Sequence, residues 1–362
     1  MNWRKKLSAL ALALALCVSL AACGGKTAAP ETPVETPAET AQTPEPAQPQ
    51  AQTEPAAPDE ETVTLRAAAL KGPTAMGLVK LMADEGFTGE ASEAEGAYAF
   101  SLAAAPDEVT PLLIKGDLDV ACVPANLASV LYNRTEGQIV TLAVNTLGVL
   151  YIVEKGETVQ SMADLKGTTV VASGKGSTPE YALRYLLTEN GIDPDQDLTI
   201  EWKSEHAECV AALKQVDDGI ALLPQPFVTV ARMQNPGLNV VLDLTKEWEA
   251  KSEGSSMITS VVVVQKQFLE THPNAVSRFM ESYAQSVAYM TDPANIKQAA
   301  ALTGSFDIIP AKVAEQAIPH CNIVDITGKE MQAKLSSYLG ELYRQNPKAV
   351  GGKVPDSSFY AL

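Results

Sequence analysis

The sequence predicts an α/β protein built as two doubly wound lobes, with a hinge that the chain crosses twice and a helical C-terminal extension. Three observations point there. Short apolar runs alternate with amphipathic helical stretches between Val63 and Val153, and the same alternation recurs between Ala163 and Leu242. A strongly β-forming run, Met257–Val264, then follows with no further α/β block to pair with. After it the pattern is helical to the end. Strands separated by helices of about ten to fifteen residues imply right-handed crossovers and parallel sheets. Two such blocks imply two lobes.

In the first block, Val63–Leu70 reads as a strand, and Gly72-Pro73-Thr74 ends it and opens a helix to about Asp84. Ala97–Leu102 is a strand. Ala105-Pro106-Asp107-Glu108 starts a helix that stops at Gly116, its acids placed at the positive helix end. Leu118–Val123 is a strand, Pro124 opens a helix to Asn133, and the apolar runs Ile139–Val144 and Val149–Val153 follow. In the second block the strands are Thr169–Ser173, Leu198–Trp202, Gly219–Leu223 and Leu238–Leu242. The helices are Pro179–Asn190, His206–Gln215 and Pro224–Gln234. The remainder reads as four helices: Pro273–Met290, Pro293–Leu302, Pro310–Ala317 and Gly328–Arg344. The orphan run Met257–Val264 is best placed back in the first lobe. The crossings then fall near Asn145–Leu150 and Ser255–Ile258, with residues 63–146 and 257–362 in one lobe and 147–256 in the other.

Ahead of the folded part lies a different kind of sequence. Arg4, Lys5 and Lys6 precede an apolar run, Leu7–Leu20, which has the form of a secretory leader and is short for a membrane span. It ends in Leu20-Ala21-Ala22-Cys23, which resembles a bacterial lipobox; Cys17 fits less well because bulky Leu16 precedes it. Residues 1–22 are therefore expected to be a lipoprotein signal peptide and Cys23 the lipidated residue, carrying a diacylglyceryl group and an amide-linked chain such as palmitate. Residues 23–62 hold that Cys and a Pro/Glu/Thr/Ala-rich tether. It has too little apolar surface to offset its ordering entropy, so it is expected to be disordered. Several acyl chains on one residue anchor stably.

The chain has 27 basic and 44 acidic residues, a net charge of −17. The tether contributes Glu31, Glu35, Glu39, Glu45, Glu54, Asp59, Glu60 and Glu61 against Lys26 alone, and the remainder is still acidic. Such a surface opposes nucleic acid and adhesion to anionic lipid, leaving contact with the membrane through the lipid anchor only. Cys122, Cys209 and Cys321 are odd in number and widely spaced, so they form no disulfide framework, although one bridge is open. Cys122 sits in an apolar strand as a small hydrophobe. His206 and Cys209 share a helical face, His320 precedes Cys321 and His272 stands alone, a set too sparse for a metal. No nucleophile elbow, Cys/His signature or paired-carboxylate motif stands out, and Gly174-Lys175-Gly176-Ser177-Thr178 lacks the phosphate-loop ending.

Leu70-Lys71-Gly72-Pro73-Thr74, Lys115-Gly116-Asp117-Leu118-Asp119-Val120-Ala121 before Pro124-Ala125-Asn126, Gly176-Ser177-Thr178-Pro179-Glu180, and Gly219-Ile220-Ala221-Leu222-Leu223-Pro224-Gln225-Pro226 stand in a telling order. In that order, with lipobox and tether, the chain resembles the type II periplasmic binding proteins of ABC importers, in the nitrate/sulfonate/taurine and thiamine-precursor-like branch. The resemblance implies a monomeric, extracytoplasmic binding protein anchored to the outer face of the cell membrane. Such a protein captures a small solute by hinge closure and delivers it to an ABC permease, with no cofactor and no catalysis. The solute stays open between an anion, a heterocyclic compound and a small aromatic one. Two other readings stand beside it. One is a ligand-sensing lipoprotein feeding a receptor. The other is an enzyme on the same fold, opposed by the absence of the Cys-rich motif of the pyrimidine-making relatives.

In open parallel sheets, ligands sit beyond the carboxyl ends of strands, near helix starts. That rule selects Lys71, Gly72, Thr74 and Ala75 after the first strand, and Asn126, whose amide can donate and accept. It selects Gly176, Ser177 and Thr178 in the second block, with Thr178 expected as N-cap before Pro179, and then Gln225 and Pro226. Asn145 and Thr146 lie at the hinge. Lys71 and Lys175 would suit an anion. His206, starting a helix after a strand, could face the cleft, and Tyr98, Tyr151, Tyr181, Trp202 and Phe227 are candidates for an aromatic wall.

Overall fold

The computed structural model describes residues 63–90, 96–252 and 254–361. The leader, the lipidation expected at Cys23 and the tether lie outside the described residues. Among these, eleven strands form two sheets. The strands are β1 Leu65–Leu70, β2 Tyr98–Ala103, β3 Val120–Pro124, β4 Ile139–Leu147, β5 Leu150–Lys155, β6 Thr169–Ser173, β7 Thr199–Lys203, β8 Gly219–Pro224, β9 Leu238–Asp243, β10 Ile258–Gln265 and β11 Ile323–Ile326. Around them lie α1 Val79–Asp84, α2 Pro106–Lys115, α3 Ala125–Arg134, α4 Thr178–Glu189, α5 His206–Lys214, α6 Phe227–Gln234 and α7 Leu244–Lys251. The C-terminal region adds α8 Lys266–Thr271, α9 Pro273–Thr291, α10 Ile296–Ser305, α11 Ala311–Ala317 and α12 Gly328–Gln345.

One sheet has the order β2-β1-β3-β10-β4-β11, the other β7-β6-β8-β5-β9. The β-branched run of β10 is buried on both faces, with Val261 to Val264 each at 0% exposure, which explains why it reads as one continuous apolar stretch. Neither sheet is purely parallel, contrary to expectation. β1 pairs in parallel with β2 and β3, as does β6 with β7 and β8. β10 runs antiparallel to β3 and β4, and β5 antiparallel to β8 and β9. The cause is topological: β5 enters straight from β4 of the other sheet, with no crossover helix to turn it round, and β10 returns from the other sheet after α7.

The C-terminal region also departs from the all-helical expectation. β11 joins β4 antiparallel through an irregular register. Its four residues, Ile-Val-Asp-Ile, are too few and too mixed to signal a strand. α7 was not foreseen either, and α6 begins at Phe227, three residues after Pro224.

The two crossings are the β4–β5 junction and the return from α7 to β10. They touch at Gly148, where an added Cβ would fall 2.7 Å from Met257 Cε, so residue 148 has no room for a side chain. Thr259 Oγ1 donates to the Leu147 carbonyl at 2.7 Å and Gln225 N to the Val149 carbonyl at 2.9 Å, tying both crossings to their neighbours.

α12 leans on α3 and β4 of the first sheet's lobe and also on α4 of the second. Trp248 of α7 is wholly buried, its ring 4.3 Å from that of Tyr185 on α4 and 5.1 Å from that of Tyr338 on α12. Cys122, Cys209 and Cys321 are free and buried. Burial pushes their thiols up to about 12, 11 and 12 respectively, so they are inert hydrophobes at neutral pH.

Candidate functional site

Strand ends from both sheets converge on one cleft of about 400 Å³. Leu70 and Lys71 at the end of β1, Pro124 at the end of β3, and the Ala104–Pro106 segment after β2 supply one wall. Ser173 at the end of β6 with Gly174 next to it, Ser204 after β7, and Pro224 at the end of β8 supply the other. Helix starts follow each strand: Pro73 and Thr74, Ser177 to Pro179, Glu205 to Ala207, and Phe227. Asp307 and Ile308, from the turn after α10, reach in from the C-terminal region, and Leu150 and Thr259 lie at the crossings. This is where open α/β sheets place their ligands, in a volume suited to a small molecule.

The β1 edge shows how the sequence builds the wall. Gly72 has φ 119° and ψ −148°, a conformation open to glycine alone, and it turns the chain from β1 into a 3-10 helix at Pro73–Leu78. Thr74 Oγ1 donates to the Leu70 carbonyl at 2.5 Å, closing that turn. Lys71 sends Nζ to Asp307 Oδ2 at 3.2 Å, in a pair whose carboxylate side chain is 98% exposed and therefore weak.

Opposite stands His206, the first residue of α5. Its Nδ1 lies 2.5 Å from Ser173 Oγ, and its ring sits 5.0 Å from that of Phe227. Part of the residue meets the cleft, yet its ring is enclosed enough that burial pulls its pKa from 6.5 down to about 4. The imidazole is thus neutral at physiological pH, as a helix N-terminus also favours. A pH dependence follows. The unfolded chain binds the proton more tightly, so the contribution is complete above pH 6.5 and is lost as pH falls toward about 4. With solvent reaching part of the residue, the loss is about 2 kcal/mol. Unfolding free energies measured across that window should fall in the native chain and stay flatter in His206→Gln; parallel profiles would refute the assignment.

Of the residues selected from sequence, Lys71, Thr74, Ser177 and Thr178 line the cleft. Gly72 stands just behind, where an added Cβ would lie 3.7 Å from Phe227 Cε2. Ala75 is wholly buried in the first lobe. Asn126 and Gly176 do not line the cleft but meet each other across the lobes. Asn126 Nδ2 donates to the Gly176 carbonyl at 3.3 Å and to the Ala349 carbonyl at 3.2 Å. Asn145 and Thr146 are turned into the first lobe. Asn145 Nδ2 donates to the Thr74 carbonyl at 3.0 Å, and Ser260 Oγ donates to its Oδ1 at 2.5 Å. Thr146 Oγ1 donates to the Pro73 carbonyl at 3.3 Å. Gln225 accepts from Thr229 Oγ1 at 2.9 Å, and Pro226 caps α6 without lining the cleft.

Thr178 is not the N-cap of α4. Ser177 is, and Thr178 is the first helical residue with Pro179 second, positions that proline fills equally well. Thr178 Oγ1 instead donates to the Thr259 carbonyl at 3.2 Å, a second link between the lobes. Of the aromatic candidates, Phe227 alone reaches the cleft; Tyr98 packs on Phe100 and Phe279 in the first lobe. Lys175 is exposed outside it. Sequence reasoning passed over Ser173, Ser204 and Ala104–Pro106, although Ser173 ends a strand and the others follow one directly. Asp307 had no signal at all, since it arrives from a distant turn. Among the described residues no group of three or more His, Cys, Asp or Glu side chains is placed to hold a metal, and no helix is long and apolar enough to cross a membrane.

Two mixed α/β sheets, a hinge crossed twice and a cleft at the strand ends define the type II periplasmic-binding-protein fold. Residues 91–304 match the NMT1-like family, and the chain belongs to it. No curated protein matches. Among solved structures, the chain is similar to an ABC transporter from Parabacteroides distasonis at 21% identity and a TM-score of 0.66, covering 83% of this chain and 99% of that one. It is similar to the periplasmic aliphatic sulphonate binding protein SsuA from Escherichia coli at 18% identity and a TM-score of 0.62, over 82% and 95% of the two chains. The periplasmic nitrate-binding protein NrtA from Synechocystis PCC 6803 aligns at 13% identity with a TM-score of 0.57, over 82% and 91%. At these identities the likeness is one of fold.

Proposed function

We propose that the chain is the solute-binding lipoprotein of an ABC importer. It captures a small molecule in the cleft, closes about the double crossing and delivers it to the permease. One observation carries this reading: a single cavity of about 400 Å³ receives strand ends and helix starts from both sheets. A ligand touching both walls has higher affinity for the closed arrangement, and by that difference it shifts the equilibrium toward closure. The contacts of Asn126 with Gly176 and of Thr178 with Thr259 support the reading, because they are links that closure would make and opening would break. The candidate ligand residues are those at the cleft, Lys71, Thr74, Ser177 and Thr178, with Ser173, His206 and Phe227 added. Tethering through Cys23 to the outer face of the membrane belongs to the same proposal and rests on the sequence of residues 1–62.

The test is a thermal-shift screen of small solutes on the native chain and on Ser204→Trp, which fills the cleft from an exposed position. A solute that raises the native Tm and leaves the Trp variant unmoved supports the assignment. A solute that stabilises both equally binds elsewhere and refutes it.

A further inference from the structure

The charges on the cleft walls restrict what the cleft can hold. They are Lys71, Glu205 and Asp307, and Lys71 already faces Asp307 at 3.2 Å. With His206 neutral, the lining carries more negative charge than positive. The other attraction for an anion is the set of helix starts that open on the cleft, and ahead of α2, α4 and α5 the protein places its own carboxylates: Glu108 Oε1 accepts the Ala104 and Ala105 N–H groups at 3.0 and 2.9 Å, and Glu208 Oε2 accepts the Ser204 N–H at 2.8 Å. Glu180 Oε2 accepts the Gly176 N–H at 2.6 Å, while Glu180 Oε1 is held by Arg184 Nε at 3.1 Å. Gly176 precedes the Ser177 N-cap, so this carboxylate sets a negative charge beside the positive end of α4 before any ligand arrives. What remains on the walls is apolar surface from Phe227, Leu150 and Ile308, a set of hydroxyls, and the Ser173–His206 pair, whose neutral ring and hydroxyl can offer one donor or one acceptor.

We infer that the cleft selects an uncharged, largely apolar solute with a hydrogen-bonding group that meets the Ser173–His206 pair, and that it discriminates against oxyanions. The inference rests on the cleft being the binding site. It also separates this chain from the sulphonate- and nitrate-binding proteins whose fold it shares. An oxyanion entering here would lose its water shell without gaining an unpaired cation, and it would meet two carboxylates. An uncharged solute escapes both penalties.

The experiment compares three probes of one shape and different charge, benzamide, benzenesulfonate and benzylammonium, by calorimetric titration of the native chain and of a Glu205→Gln/Asp307→Asn variant. Both replaced carboxylates are exposed, and the second replacement frees Lys71. The native chain should bind benzamide at least about tenfold more tightly than either ion, and the variant should gain about tenfold in affinity for benzenesulfonate. Native binding of benzenesulfonate as tight as that of benzamide overturns the charge selection while leaving the cleft as the binding site. A variant with no gain for the sulfonate overturns it as well. Failure of all three probes on both proteins overturns the selection and the cleft assignment together.

Discussion

Trp248→Ala is expected to lower the unfolding free energy by about 3–5 kcal/mol, read as a fall in the urea midpoint with little change in slope. The indole is wholly buried where α7, α4 and α12 meet, packed between the rings of Tyr185 and Tyr338, which are tilted to it by 39° and 47°. Removing it empties a site walled by three helices, two from one lobe and one from the C-terminal region, which limits how far the surroundings can collapse. Trp248→Phe keeps most of the ring contacts and should lose well under half as much. A loss below about 1 kcal/mol for the alanine variant would mean that α12 does not brace the second lobe as described.

Asn145→Ala should destabilise the chain by about 2–4 kcal/mol, because one amide satisfies two buried groups. It donates to the Thr74 carbonyl and accepts from Ser260, and truncation orphans both inside the first lobe. Asn145→Asp retains the acceptor but loses the donor and adds an ionisable group, so its loss should grow as pH rises through the carboxylate range. Chemical denaturation at two pH values checks both statements. If Asn145→Ala keeps native stability but abolishes solute binding, the residue belongs to the ligand and not to the scaffold.

The fold could be read from the sequence where composition leaves little choice. The valines of β10 are buried on both faces, so the run announces itself, and the lack of any remaining α/β partner sends it back to the first sheet. β11 gave no such notice, with an aspartate among four residues and only one neighbouring strand. The cleft could be located by the strand-end rule, and Lys71, Thr74, Ser177 and Thr178 do line it. The rule does not say which way a side chain turns. Asn126, Asn145 and Gln225 stand near the same ends, but an amide serves its own chain as readily as a ligand: Asn126 and Asn145 donate to carbonyls, and Gln225 accepts from the Thr229 hydroxyl. Asp307 lies more than two hundred residues from Lys71 in the chain, and only the folded path of the C-terminal helices brings it to the rim.

The inertness of Cys122, Cys209 and Cys321 has a practical corollary. Maleimide chemistry requires a thiolate in contact with solvent, and none of these three buried sulfurs supplies one at neutral pH. Cysteines introduced at Ala104 and Ser204, exposed on facing lips of the cleft, would therefore take up nitroxide labels against no background from the described thiols. The spacing between the two spins would then report the angle between the halves directly, solute by solute.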